Sequence, residues 1–154
     1  MEKKKELTVS AIENGTVIDH IPADKVFQVV KILGLEKVSN PVYFGTNVDS
    51  KKYGKKGFIK VSDKYFNIED VNKIGLVAPT ATIIEIKDFE VVKKQTVTLP
   101  ESIEHIVKCF NPNCVTNKEH DIPTKFRVKH VDGKLRLVCH YCEKYTSEEN
   151  IEFI

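Results

Sequence analysis

Cys109-Phe110-Asn111-Pro112-Asn113-Cys114 and Cys139-His140-Tyr141-Cys142 contain every cysteine of the chain, as C-x4-C and C-x2-C with 24 residues between the pairs. Two thiolates a few residues apart on one turn grip one side of a zinc ion. A second pair, carried in by a hairpin, completes the tetrahedron that zinc favours. Four sulfurs fill the shell and leave no position for water or substrate, so the spacing predicts a structural zinc ion held by Cys109, Cys114, Cys139 and Cys142. The same cysteines admit two disulfides, and the C-x2-C pair taken alone admits a redox motif. Disulfides belong to oxidising compartments, whereas the first residues, Met1-Glu2-Lys3-Lys4-Lys5-Glu6, have no apolar character that points to secretion. The C-x2-C pair also lacks βαβ surroundings, which leaves zinc as the favoured reading. His105 and His140 lie near the cluster in sequence and, with four thiolates present, are expected to be bystanders.

The residues between the two pairs support the metal reading. Asp132-Gly133 is a favoured two-residue hairpin turn. Counting outward from it, His130 faces Leu135, Val128 faces Leu137 and Phe126 faces Cys139, all on one side of the ribbon. Arg127, Lys129 and Arg136 fall on the other side. Because strand side chains alternate, this register delivers Cys139 on the apolar face.

The cysteines crowd into residues 109–142 of a 154-residue chain, and residues 1–100 have none. That asymmetry predicts two domains, 1–100 and 101–154, joined near Thr96-Val97-Thr98-Leu99-Pro100. A segment of about 50 residues is too small to rely on its own core, and a metal is a usual staple at that size. The apolar share is 41% with no run long enough for a membrane span, so a soluble, cytoplasmic protein is expected. Lysine and arginine number 24 against 22 acidic residues, a net charge of +2 that argues against general nucleic-acid binding.

Leu7–Ala11 alternates like a half-buried strand, Asn14-Gly15 signals a turn, and Thr16–His20 reads as a second strand. Pro22-Ala23-Asp24-Lys25 then opens a helix whose stripe is Val26, Val29, Val30 and Leu33, with Gly34 at its end. Pro41–Val48 and Phe58–Val61 read as strands around a polar basic loop, residues 49–57. Asn67 caps a second helix with Ile68, Val71 and Ile74 inward, stopped by Ala78-Pro79. Strands Thr82–Ile86 and Phe89–Lys94 follow, with a tight turn near Lys87-Asp88. The order β-β-α-β-β-α-β-β predicts an α+β fold: a ferredoxin-like sandwich with extra strands and both helices on one face. A small all-β zinc ribbon of the rubredoxin type follows it.

Within residues 1–100 there is no G-x-G-x-x-G or G-x4-G-K-[ST], and His20 is the sole histidine, so no catalytic triad is argued from spacing. Lys60 and Lys93-Lys94 interrupt apolar strand context. On neighbouring strands their ammonium groups would converge on an anion such as a phosphate; solvated edge lysines are the plainer alternative. Asp19-His20 reads equally as a strand-end cap. The run Lys51-Lys52-Tyr53-Gly54-Lys55-Lys56 mixes cations and an aromatic ring, as single-strand binders do, and is more often a solvated loop tip. A nucleic-acid-binding zinc ribbon is thus the competing function, and an enzyme in its own right has the least support.

Gly15-Thr16-Val17-Ile18-Asp19-His20-Ile21-Pro22, Ala78-Pro79-Thr80-Ala81-Thr82, Tyr141-Cys142-Glu143-Lys144 and the cysteine spacing together resemble the regulatory chain of aspartate carbamoyltransferase, from Leu7 to Phe153. The resemblance implies a non-catalytic subunit in pyrimidine biosynthesis. Its first domain would bind CTP as inhibitor and ATP as activator at one shared site, and its zinc domain would dock on the catalytic chain. Regulatory chains of this family pair as dimers that bridge catalytic trimers. By resemblance, the backbone of Ala11 and Ile12 reads the base edge, Asp19 the ribose and His20 a phosphate. Lys60 lies near base and ribose, Val91 lines the pocket and Lys94 holds the phosphates. Phe89 stands where the best-known members have tyrosine and Ile84 where they have asparagine, two departures that bear on how sharply CTP is separated from ATP.

Overall fold

The computed structural model describes residues 11–51 and 54–154. The chain parts into two compact units, residues 1–97 and 98–154.

In the first unit the elements run β1 (Gly15–Pro22), α1 (Val26–Ile32), β2 (Val42–Ser50), β3 (Gly54–Ser62), α2 (Ile68–Val77), β4 (Thr82–Lys87) and β5 (Glu90–Thr96). The strands form one sheet in the order β2-β3-β1-β4-β5, antiparallel throughout. β1-α1-β2 and β3-α2-β4 are therefore two interlocked split βαβ units, the ferredoxin-like arrangement, and β5 extends one edge. The strand expected at Leu7–Ala11 lies outside the described residues, apart from Ala11, which is not in a strand.

Alternation along the strands decides which face is covered. Ile18 pairs with Ile59 on one side and Ile83 on the other, and all three are at most 3% exposed. Val26, Val29, Val71 and Ile74 from the helices are buried with them, and α1 touches α2, so both helices lie on that face. Where α1 begins, the sheet has to make room. A Cβ on Gly57 would stand 1.9 Å from Val26 Cγ2, so only a glycine admits this approach.

Several element ends differ from expectation. Pro22 closes β1 and a single 3-10 turn, Ala23–Lys25, intervenes before α1. Gly34 ends the helix in the left-handed region, φ 65°, as expected. Asn67 caps α2 through a full capping box with Asp70, but Ile68 is 70% exposed because it lies ahead of the turn that meets the core. The basic loop read at 49–57 is instead a tight hairpin. β2 runs to Ser50 and β3 starts at Gly54, with Lys55 and Lys56 already in the ladder.

The second unit is all-β apart from the one-turn helix α3 (Val115–Lys118) and a 3-10 turn, Glu148–Asn150. Strands β6 (Ser102–Glu104), β7 (Lys125–Val131), β8 (Lys134–Cys139) and β9 (Tyr145–Ser147) form an antiparallel sheet in sequence order. The hairpin register is the expected one: Phe126↔Cys139, Val128↔Leu137 and His130↔Leu135. Asp132 and Gly133 at its tip both have positive φ, 53° and 76°, as a type I′ turn demands. Phe126 and Leu137 are fully buried beneath the ribbon, and Val107 pairs with Phe153 to tie down the C-terminus. No helix among the described residues is long and apolar enough to cross a membrane.

Gly57→Ala should destabilise the first unit by about 1–3 kcal/mol, the usual cost of overpacking a core contact, read as a lowered thermal midpoint in circular dichroism.

Candidate functional sites: a thiolate cluster and an open sheet face

The second unit brings Cys109, Cys114, Cys139 and Cys142 together, with all four Sγ atoms within 4.8 Å of one another. Cys109 Sγ lies 3.8 Å from Cys142 Sγ, and Cys114 Sγ lies 3.7 Å from Cys139 Sγ. Disulfide sulfurs sit about 2.05 Å apart, so these are free thiols. A tetrahedron with Zn–S bonds of about 2.3 Å has S···S edges of about 3.8 Å. The donor set and its spacing fit zinc, and the cluster is a site for one structural zinc ion. His105 and His140 are not part of the group; the His140 ring instead stacks edge-on with Tyr141 at 5.0 Å.

Local structure places each sulfur. Asn111 Oδ1 accepts from the Asn113 amide, and the Asn111 carbonyl accepts from the Cys114 amide, which curls the first loop. Asn117 Nδ2 donates to the carbonyls of Cys109 and Asn111, pinning that loop to α3. Thr116 Oγ1 donates to Cys114 Sγ at 3.2 Å. In the second loop the Cys139 carbonyl accepts from Glu143, whose φ of 64° closes the turn. These outer contacts fix ligand orientation; Thr116 and Asn117 carry no motif and were not legible from the cysteine spacing.

Crowded thiols oppose one another's ionisation. Burial pushes the Cys109 and Cys139 thiols up, and neighbouring sulfurs add to it. Cys142 is less buried. Desolvation acts to raise it too, but hydrogen bonds from the Asn111 side chain, the Lys144 amide and the neighbouring Cys139 and Cys109 thiols outweigh this and bring it down to about 7, so this one sulfur ionises at the others' expense. A divalent cation among the sulfurs reverses the sign of the problem, because it deprotonates coordinating thiols outright.

The first unit leaves one sheet face without helices. Across it the register aligns Tyr43, Lys60, Val17, Ile84 and Lys94, one from each strand in the order β2-β3-β1-β4-β5. The lysines are thus not on neighbouring strands, and Lys93 falls on the other face opposite Glu85. With strands about 4.8 Å apart, three spacings put the Lys60 and Lys94 backbones about 14 Å apart. Lys60 and Lys94 thus flank Val17 and Ile84 in one row across the open face. Val91 is two rows along, opposite Ile86.

Asp19 and His20 form a β-bulge rather than a strand-end cap. His20 has φ 58°, and the β1–β3 register shifts between Ile18 and Ile21. The His20 amide donates to Asp19 Oδ1, and its ring Nδ1 lies 3.1 Å from Thr82 Oγ1. Lys56 Nζ reaches Asp19 Oδ1 at 2.8 Å in a largely shielded ion pair. Burial would raise the Asp19 carboxyl, but Lys56 and the His20 amide more than offset it and hold it below the ordinary carboxylate value. Lys55 pairs with Asp49 in the same way at the exposed tip. Two cations of the basic run are therefore neutralised locally. Lys56 was hidden in the sequence by the loop reading.

At the far end of the face, the β4–β5 turn is latched to the chain after Ile12. The Phe89 amide donates to the Glu13 carbonyl, and the Asp88 amide donates to Asn14 Oδ1. This ties the backbone of Phe89, whose ring is 63% exposed, to that of Glu13. Register thus puts Asp19, Lys60, Val91 and Lys94 on the open face, with His20 in the bulge at one end and Phe89 in the β4–β5 turn at the other, whereas Ala11 and Ile12 lie outside the strands and Ile12 is buried.

A closed thiolate cluster on a small all-β unit, with a polar open face on a helix-backed sheet, defines a binding protein whose metal is structural. Residues 7–98 match the family model for the aspartate carbamoyltransferase regulatory chain, allosteric domain, and residues 101–152 match the model for its metal binding domain. The chain is 48% identical over 153 residues to the aspartate carbamoyltransferase regulatory chain of Bacteroides fragilis, covering 99% of both. It is 53% identical over 148 residues to that of Pyrococcus horikoshii, covering 95% of this chain and 96% of the relative. The chain belongs to the aspartate carbamoyltransferase regulatory chain family; it is a non-catalytic subunit, which implies a catalytic partner chain.

Cys114→Ser should leave less than one zinc per chain by metal analysis and unfold the second unit, because zinc binding supplies about 10–16 kcal/mol in small zinc modules. Thr116→Val should keep the fold and weaken zinc about tenfold or more against a chelator. For Asp19 the folded pKa is depressed, so its ion pair with Lys56 contributes in full above the unfolded value of about 3.9 and is lost as pH falls through the folded one. The stability gap between wild type and Asp19→Asn, followed by exchange of β1 amides, should stay constant down to about pH 4 and close below it.

Proposed function

We propose that residues 1–100 bind CTP as inhibitor and ATP as activator at one shared site on the open sheet face. Residues 101–154 dock on the catalytic chain and carry the effect to its trimers. The observation that carries this reading is the cross-sheet row Lys60–Val17–Ile84–Lys94, two cations about 14 Å apart over an apolar floor. That row is long enough for a nucleoside triphosphate. Within it Lys94 holds the phosphates with His20, Asp19 takes the ribose, and Lys60 sits between ribose and base. The Phe89 ring and Val91 enclose the base, whose edge meets the backbone of Ala11 and Ile12. Lys56, paired to Asp19, positions that carboxylate.

Self-association through the first unit is supported by the β2 edge, where Phe27 and Phe44 stack edge-on at 5.5 Å while 65% and 42% exposed. Tyr43, on the opposite face of the same strand, is 42% exposed, so the edge offers both unpaired backbone and aromatic surface. We place the protein in the cytoplasm, where four reduced thiols are free to hold zinc.

A nucleotide regulates only by binding two states of the assembly unequally. Added to catalytic trimers, the chain should make their aspartate response sensitive to CTP and ATP, which should compete for one site. Lys94→Ala should weaken both nucleotides about tenfold or more, the worth of a charge-assisted hydrogen bond. Trimers that respond identically with and without the chain would sink the proposal.

A further inference from the structure

The β6–β9 sheet covers the small core with one face and turns the other to water. Alternation puts Arg127 and Lys129 of β7, Lys134 and Arg136 of β8 and Tyr145 of β9 on that outer face. Val138 stands between Arg127 and Tyr145 in one cross-strand row. Lys125 shares the face, but its Nζ lies 3.6 Å from Glu104 on the neighbouring strand, which neutralises it. The four remaining cations exceed the formal net charge of +2 carried by the whole chain. Positive charge is therefore gathered on this ribbon and offset elsewhere.

Among these cations sits an accessible aromatic ring. The Arg136 guanidinium lies over the Tyr145 ring, 4.4 Å from its centre, and Tyr145 still keeps 50% of its surface exposed. Aromatic rings and guanidinium planes are both surfaces on which an unpaired base stacks, and this pair holds one of each side by side. Lys129 stands directly opposite Arg136 in the ladder. Like charges facing each other across strands destabilise a sheet, and an anion settling between them relieves that cost.

We propose that this face binds single-stranded nucleic acid, with a base stacked on the Tyr145–Arg136 pair and phosphates held by Arg127, Lys129 and Lys134. Sequence-tolerant binding of single strands needs cations that track a backbone and an aromatic side chain that takes a base. The ribbon carries both close together, since Tyr145 lies two strand spacings, about 10 Å, from Arg127. A single strand fits better than a duplex. A duplex keeps its base faces stacked on one another and leaves only charge attraction, for which four cations on a chain of net charge +2 are few. The ring set among the cations is what favours a nucleic acid over an acidic protein, whose carboxylates would use the cations alone. The site belongs to the second unit and is distinct from the open sheet face of the first.

The test follows the fluorescence anisotropy of labelled oligothymidylate and oligouridylate with the full-length zinc-loaded chain. Both should bind, and log affinity should fall against log salt with a slope of about −2 to −3, from about 0.7 counterions released per neutralised phosphate. Tyr145→Ala should weaken binding about fivefold or more and keep that slope, the worth of one stacked base. Tyr145→Phe keeps the ring and should bind like wild type. Lys129→Glu turns the opposed like charges into an opposite pair and so preserves the sheet. It should weaken binding about tenfold or more and flatten the slope, because it removes one phosphate contact and adds a repulsion. Zinc content should match wild type in all three variants, and saturating CTP should leave the complex intact. Absence of binding at low salt would overturn the assignment, as would displacement by CTP or equally good displacement by polyglutamate of matched charge. Tyr145→Ala or Lys129→Glu binding within twofold of wild type would overturn it too.

Discussion

Four sulfurs held within 4.8 Å of one another repel when ionised, and a divalent cation at their centre turns that repulsion into cohesion. The second unit depends on this exchange. Its apolar core is a thin layer, chiefly Ile103, Ile106, Val107, Phe126, Leu135 and Leu137, in a segment of a size where a core alone is marginal. The β7–β8 ribbon feeds both sides of the arrangement. Phe126 faces Cys139 in the ladder, so the strand that delivers a ligand also seals the core beside it. The metal and the core are therefore one cooperative element, and the outward ribbon face is free of structural duty.

The first unit solves a different problem by the same alternation. Its sheet buries one face under two helices and leaves the other to water, which antiparallel sheets tolerate and parallel ones seldom do. Residues on the open face are consequently released from packing. Lys60 and Lys94 sit there beside Val17 and Ile84, while Ile18, Ile59 and Ile83, one position away, are locked in the core. A single-residue slip would exchange the two sets. The bulge at Asp19–His20 occurs after the Ile18 pair is set, so β1 keeps its core register and still turns two polar side chains out of step.

How much of this was legible in the sequence follows the range of the interactions. The zinc site and its hairpin were readable because spacing, turn chemistry and period-2 alternation are local and agree with one another. The Asn67 cap and the Gly34 stop were readable for the same reason. Strand order was not, and that is why Lys60 and Lys93 looked like neighbours when β1 and β4 lie between their strands. Lys56 was lost because a run of lysines and glycines reads as a loop, whereas its charge is compensated by Asp19, 37 residues away. Ile68 satisfied the helical period but sits in the first turn, ahead of the packed face.

The division of labour has an energetic logic. A zinc unit whose fold is bought with thiolates has little core to rearrange, so it is suited to carry a rigid surface rather than to change shape. The first unit, by contrast, has an open sheet face whose far side is packed, and its bulge and β4–β5 turn place His20, Asp88 and Phe89 at positive φ, conformations that cost free energy and persist where surrounding bonds over-determine them. Hydrogen bonds from Asp88 and Phe89 to residues 13–14 supply that constraint at one end of the face, and at the other Thr80 donates to the His20 carbonyl while the His20 ring and the Thr82 hydroxyl share a hydrogen bond. Both rims of the open sheet face therefore carry strained backbone held in place by hydrogen bonds to neighbouring segments, far along the sequence from the cysteines.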